Sequence, residues 1–112
     1  MEILKPSEIV DEVREVLENA STGKGEYPHY LTAYQILDRL PDALKDRIIS
    51  ERGRSGKGAG SHYSSASLIS DAAELVEDIE VSYLDAGGLS MTIDSLGIQA
   101  GFEVCGIYRI RR

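Results

Sequence analysis

The chain carries one cysteine, Cys105, so no internal disulfide can staple it. A reducing, cytoplasmic setting follows as the default expectation. Cys105 lies in an apolar stretch and reads as a small core or sheet residue before it reads as a reactive thiol. No apolar run approaches the roughly 18 to 20 residues that cross a bilayer. The segment Met1-Glu2-Ile3-Leu4-Lys5-Pro6 lacks the basic and then apolar order of a secretion signal. Positive charge is short: 12 lysines and arginines stand against 19 aspartates and glutamates, for a net charge of −7. That balance disfavours broad, non-specific binding to nucleic acid or to anionic membranes.

Motifs that carry chemistry are missing as well. There is no G-x-S-x-G, no H-E-x-x-H, and no cysteine placed with a histidine by a known signature. His29, His62 and the distant Cys105 do not have zinc spacing. No catalytic residue, no metal and no cofactor is therefore expected. The serines around positions 61 to 70 read as helix-capping and small packing residues, and Asp71, Glu74, Glu77 and Asp78 as a solvated face.

What is present is the composition of a folded protein. The chain is 42% hydrophobic and 28% charged, both ordinary for a globular domain. Its 112 residues give room for one core, and the whole of 1–112 is expected to form one domain. Charge is uneven along it. Acidic residues crowd 8–18 and 71–80, while basic ones collect at Arg52, Arg54 and Lys57 and again at Arg109, Arg111 and Arg112.

Helical periodicity runs through the first two thirds, about 7–77. Over 8–20, Ile9, Val13, Val16, Leu17 and Ala20 share a face and Asp11, Glu12, Glu15 and Glu18 point away, with Ser7 as the expected N-cap. Thr32 followed by Gln35 is a capping box, with Leu31 and Ile36 as its hydrophobic staple, and predicts a helix over 33–40. Pro41 closes that helix and suits N1 of the next, which runs to about residue 52 with Leu44, Ile48 and Ile49 on its apolar side; Gly53 sits where a C′ glycine belongs. A fourth helix is expected over 66–77, with Leu68, Ile69, Ala72, Ala73 and Val76 inward.

The period then becomes two, over about 79–111. Ile79, Val81 and Tyr83 alternate with Glu80 and Ser82, then Leu89, Met91 and Ile93 alternate after a turn at Asp85-Ala86-Gly87-Gly88. In the last strand Phe102, Val104, Gly106, Tyr108 and Ile110 share one face, and Glu103, Cys105, Ile107, Arg109 and Arg111 the other. The expectation is an α+β fold with about four N-terminal helices followed by a three-stranded antiparallel sheet, most simply a meander, and the helices on one face.

One pattern rises above composition. Residues 22–38 lie on 55–71 without a gap, at the offset that carries His29 onto His62. Gly23-Lys24-Gly25 meets Gly56-Lys57-Gly58, His29-Tyr30 meets His62-Tyr63, and Ala33, Ile36 and Asp38 meet Ala66, Ile69 and Asp71. Upstream, Arg14 and Glu18 meet Arg47 and Glu51. The repeated unit is a helix, a Gly-Lys-Gly loop, His-Tyr and a capped helix, which makes Ser65 the counterpart cap of Thr32. Two such units cannot stack as a solenoid, so a pseudo-symmetric pair packed on each other is the expected arrangement.

These features supply the candidate site. The Gly53–Ser61 loop lacks the G-x-x-x-x-G-K-[ST] pattern of an NTPase, since glycine follows Lys57. Open glycine backbone with Lys24, Arg52, Arg54 and Lys57 nearby could still meet an anion, and the plainer alternative is a solvated loop. His29, Tyr30, His62 and Tyr63 are either symmetric ligand-stacking groups or packing residues below their helix caps. Arg109 and Arg111 alternate on one strand face, where they could grip phosphate or carboxylate, or balance acidic groups within the fold.

The helices at 33–40 and 41–52, the fourth helix and the hairpin after it follow one another in an order that resembles winged helix-turn-helix domains, over about residues 30–95. That resemblance implies nucleic-acid binding through one helix and the wing. The helix in the recognition position, 66–77, carries Asp71, Glu74 and Glu77 and no lysine or arginine, so the likeness bears on architecture more than on activity. The leading functional expectation is a non-catalytic protein-interaction or dimerising module, with a protein partner or a second copy and no membrane. The alternative is a module that binds nucleic acid or another anion through the Gly-Lys-Gly loops and nearby arginines.

Overall fold

Thr32 ends a strand and starts a helix. Its Oγ1 accepts from the Gln35 N–H at 3.2 Å, while Gln35 Oε1 accepts from the Thr32 N–H at 2.9 Å. This is the expected capping box, and it opens the helix α2, Ala33–Arg39. The structure, a computed structural model, describes residues 4–20, 29–52, 65–85, 90–93, 96–99 and 104–111. Around α2 stand three further helices: α1, Val10–Asn19; α3, Asp42–Arg52; and α4, Ser65–Glu74. The strands are β1, Leu31–Thr32; β2, Ile79–Asp85; β3, Ser90–Ile93; β4, Leu96–Gln99; and β5, Val104–Ile110.

The fold is α+β, with the helices first and a three-stranded antiparallel sheet covered by helices on one face. Its strands are not consecutive. The order is β1-β5-β2, and β3 pairs with β4 as a separate hairpin beside α2. A meander favours local turns, but the observed pairing keeps one apolar face continuous: Leu31 and Val81 both stand opposite Tyr108, and Ile79 stands opposite Ile110. A slip of one residue would turn all of these to the wrong side. Leu31, Tyr108 and Ile110 are buried accordingly.

The helices add Val13 and Leu17, Ile36 and Leu37, Ile48, and Leu68 and Ile69 to one core, each fully buried. Removing such a side chain from water contributes roughly 1.5–3 kcal/mol. Arg14–Glu18 on α1 and Arg47–Glu51 on α3 form i,i+4 ion pairs at 2.6 and 2.8 Å, so these matched positions of the echo adopt the same local geometry. Helices α2 and α4, which carry its other described half, pack on each other, and Ala33, Ala66, Ile36 and Ile69 all face the core.

Several boundaries differ from expectation. Ser7 lies in a 3-10 turn, Pro6–Glu8, and Ile9 occupies the N-cap position of α1; the Glu8 carboxylate instead accepts from the Lys5 N–H at 2.9 Å. Pro41 precedes α3 and its carbonyl accepts the first helical bond from Lys45. Ser65 is the first helical residue of α4 and fully buried, not its cap. Helix α4 stops at Glu74, where the N–H groups of Leu75 and Val76 tighten onto Ala72 and Ala73, and Asp78 at φ 60° turns the chain into β2. Aspartate tolerates this left-handed backbone better than most residues.

Lys45 is buried on the side of α3 that the apolar pattern assigns to Leu44, Ile48 and Ile49. Its Nζ donates to the Asp38 carbonyl at 3.1 Å and lies 3.8 Å from both the Asp38 and the Asp42 carboxylates. The stem fills the α2–α3 corner while the charge serves the C-terminal end of α2. Among the described residues no helix is long and apolar enough to cross a membrane.

Candidate functional site

The sheet face turned away from the helices brings together residues far apart in sequence. Pairing of Leu31 with Tyr108 sets Tyr30 beside Arg109, and pairing of Glu80 with Arg109 sets the carboxylate on the other side. The Arg109 guanidinium lies 4.5 Å from the Tyr30 ring centroid, a cation–π contact. Its Nε donates to Glu80 Oε2 at 2.6 Å, and the Tyr30 hydroxyl donates to the same oxygen at 3.3 Å. Arg111, two residues on and mostly exposed, places Nε 3.5 Å from Glu80 Oε1.

The bond from Arg109 holds the Glu80 carboxyl below the usual carboxylate range, against a smaller opposing effect of burial. The same bond raises Arg109. Two guanidinium groups face one carboxylate, so the cluster keeps a positive surplus on an acidic protein. Arg109 already has its carboxylate, and Arg111 is the guanidinium with room to meet a further group.

The other predicted residues divide. Arg52 Nη2 donates to the Leu4 carbonyl at 2.6 Å, and Glu51 Oε1 accepts from the Leu4 N–H at 2.9 Å. Both polar backbone groups of Leu4 are thus held by α3, and the Leu4 N–H is the largest cause of the lowered Glu51 carboxyl. His29 is exposed, and its N–H donates to the Ala20 carbonyl at 2.7 Å. Lys24, Arg54, Lys57, His62 and Tyr63, with both Gly-Lys-Gly loops, lie outside the described residues. Cys105 is buried, and burial pushes its thiol up, away from the reactive thiolate.

The strongest surface signal is one the sequence pattern hides. Strand β2 is an edge of the sheet, and its side chains emerge along its length. Ile79 and Glu80 are half-buried, whereas Val81 is 38%, Leu84 41% and Tyr83 71% exposed. Leu75, in the turn before the strand, is 55% exposed. Alternation places Ile79, Val81 and Tyr83 on one face, but not how far the helices extend over that face. Glu80 is likewise invisible as a site residue, because its partner is 29 positions away.

A groove of about 380 Å³ lies between α1 and the α2–α3 corner, lined by Glu12, Glu15, Val16, Asn19, Arg39 and Pro41. Among the described residues no group of three histidine, cysteine, aspartate or glutamate side chains is placed to hold a metal ion. The chain matches no protein-family model, and comparison with curated proteins and with solved structures gave no match.

Proposed function

We propose that the chain is a non-catalytic protein-interaction module whose working surface is the outer edge of β2. One observation carries this reading: Val81, Tyr83 and Leu84, three of the large exposed hydrophobics among the described residues, lie on one edge strand. An edge strand offers unpaired main-chain N–H and C=O groups, and proteins commonly blunt such edges with lysine, proline or a bulge. Here the edge carries apolar and aromatic side chains, the composition of a contact surface.

A photo-crosslinking residue at position 83 tests the reading in cells that make the protein. The expected result is a protein adduct that disappears when Val81 is also replaced by lysine, with none from the same probe at exposed Ala43. Equal crosslinking at both positions, or none at 83, would overturn it. A second reading, contact with a nucleic-acid backbone or another anion, draws on the positive surplus at Arg109 and Arg111. It requires salt-sensitive binding that weakens on Arg111→Ala.

A further inference from the structure

We infer that the β2 edge receives an extended, basic segment of another protein, one of whose lysines or arginines docks on the Tyr83 ring beside the Asp71 and Glu74 carboxylates of α4. The inference rests on the reading of β2 as the working surface and names the chemistry of its partner.

Charge along the chain comes first. Between His62 and Arg109 there is no lysine, arginine or histidine, against eight aspartates and glutamates. Helix α4 and strand β2 both lie in that stretch. Arg109 and Arg111, which follow it, belong to the opposite sheet face and engage Glu80. Arg14 approaches from α1, but it bonds Glu18 and the Glu77 carbonyl, not a carboxylate of this stretch. Among the described residues no ion pair engages Asp71, Glu74, Glu77 or Asp78. The helical flank of the β2 edge is thus acidic and uncompensated by those residues.

The register brings this flank to the exposed aromatic ring. Tyr83 stands opposite Gly106, and the Tyr108 hydroxyl lies against Gly106. Burial pushes that hydroxyl up, the bond with Ser70 of α4 opposes the rise, and Glu74, Tyr83 and Asp71 add to it. Glu74 follows Ser70 by one helical turn, and Asp71 by one residue. The exposed Tyr83 ring and the exposed Asp71 and Glu74 carboxylates therefore surround one buried hydroxyl.

The opposite face shows what such groups do together. There Arg109 lies over the Tyr30 ring and bonds Glu80. Tyr83 with Glu74 and Asp71 offers the same chemistry, a ring beside carboxylates, for a cation that comes from outside the chain. A long basic side chain fits it: the stem covers apolar surface at Val81 and Tyr83, and the charge meets ring and carboxylate. The backbone is ready as well. The Arg111 N–H donates to the Asp78 carbonyl at 2.6 Å, so by alternation Glu80 and Ser82 turn their N–H and C=O groups to β5, and Val81 and Tyr83 turn theirs to the open edge. An extended segment bonds these groups while its side chains reach α4. A second copy would instead set acid against acid.

The test uses labelled octapeptides that alternate valine with arginine, with serine or with glutamate, titrated by fluorescence anisotropy with the purified full chain up to about 1 mM. The arginine peptide should bind at least about tenfold more tightly than the serine peptide, and the glutamate peptide most weakly. Asp71→Asn with Glu74→Gln should remove most of that preference. Glu15→Gln with Asp46→Asn, which removes the same charge from α1 and α3, should leave it. Asp71→Lys with Glu74→Lys should reverse it in favour of the glutamate peptide. Arginine and serine peptides of equal affinity, no binding by any peptide, or equal loss in the α4 and the control variants would overturn the basic-partner assignment. Sedimentation of the chain alone should give 12.2 kDa; a dimer abolished by Val81→Lys would assign the edge to a second copy and overturn it too. If the peptides show no preference while position 83 still crosslinks to another protein, the basic partner fails and the contact surface stands. If position 83 crosslinks to nothing, both fail.

Discussion

Glu80 and Arg109 face each other across the β2–β5 ladder, with Arg109 Nε 2.6 Å from Glu80 Oε2. Tyr30, the residue just before β1, stacks on the guanidinium and donates to the carboxylate, so side chains tie the entry to β1 to both β2 and β5.

The pair makes the fold sensitive to acid. Glu80 and Glu51 both have carboxyl groups lowered by native contacts. A carboxyl lowered in the folded state favours folding when ionised. The contribution is complete above the ordinary carboxylate range and is lost as pH falls through the lowered folded values. Urea midpoints measured between pH 6 and pH 3 should fall steadily, and Glu80→Gln should flatten that slope while lowering the midpoint at pH 6. An unchanged slope would show that the carboxylate contributes nothing specific.

Gly106 is required by Tyr108. A Cβ at Gly106 would lie 2.6 Å from the Tyr108 hydroxyl and 3.0 Å from its ring carbon Cζ. Tyr108 is buried, with Ser70 of α4 as a polar neighbour, and its ring crosses the backbone of Gly106. Gly106→Ala should destabilise by about 1–3 kcal/mol in chemical denaturation. Tyr108→Phe in that background should recover part of the loss, because the closest contact is the hydroxyl.

Lys45 should act as both packing stem and charge. Lys45→Met keeps the stem and loses the bond to the Asp38 carbonyl, at a cost of about 1 kcal/mol. Lys45→Ala loses both and should cost about 2–3 kcal/mol. Equal losses in thermal unfolding would mean that the stem contributes nothing beyond the charge.

Loss of the α2 cap should be local and moderate. Thr32→Ala removes the acceptor for the Gln35 N–H and is expected to cost about 1 kcal/mol. Thr32→Ser retains the hydroxyl and should restore most of it. Hydrogen exchange would place the loosening in the first turn of α2.

The parts of this fold legible in the sequence are those set within a few residues. Thr32 and Gln35 announce their helix because the partners are one turn apart. The stripe of Val13, Val16 and Leu17 announces a buried face for the same reason. Arg109 and Arg111 stand out as a pair on one strand face, but Glu80, which organises them, does not, since nothing local connects positions 80 and 109. Ser7 and Ser65 have the chemistry of caps, yet Ser7 lies in the 3-10 turn before α1 and Ser65 is itself the first helical residue of α4.

By itself the sequence determined the four helices and the strands β2, β3 and β5, in their order, because these follow from the spacing of apolar side chains and from short-range hydrogen bonds; the short β1 and β4 were not legible in it. Only the tertiary structure decided that β5 lies between β1 and β2, that β3 and β4 form a separate hairpin, and that β2 is an edge carrying an uncovered Tyr83. Those outcomes depend on which distant faces bury each other best, and a backbone pattern of period two is the same whether its strand ends at the centre of a sheet or at its rim.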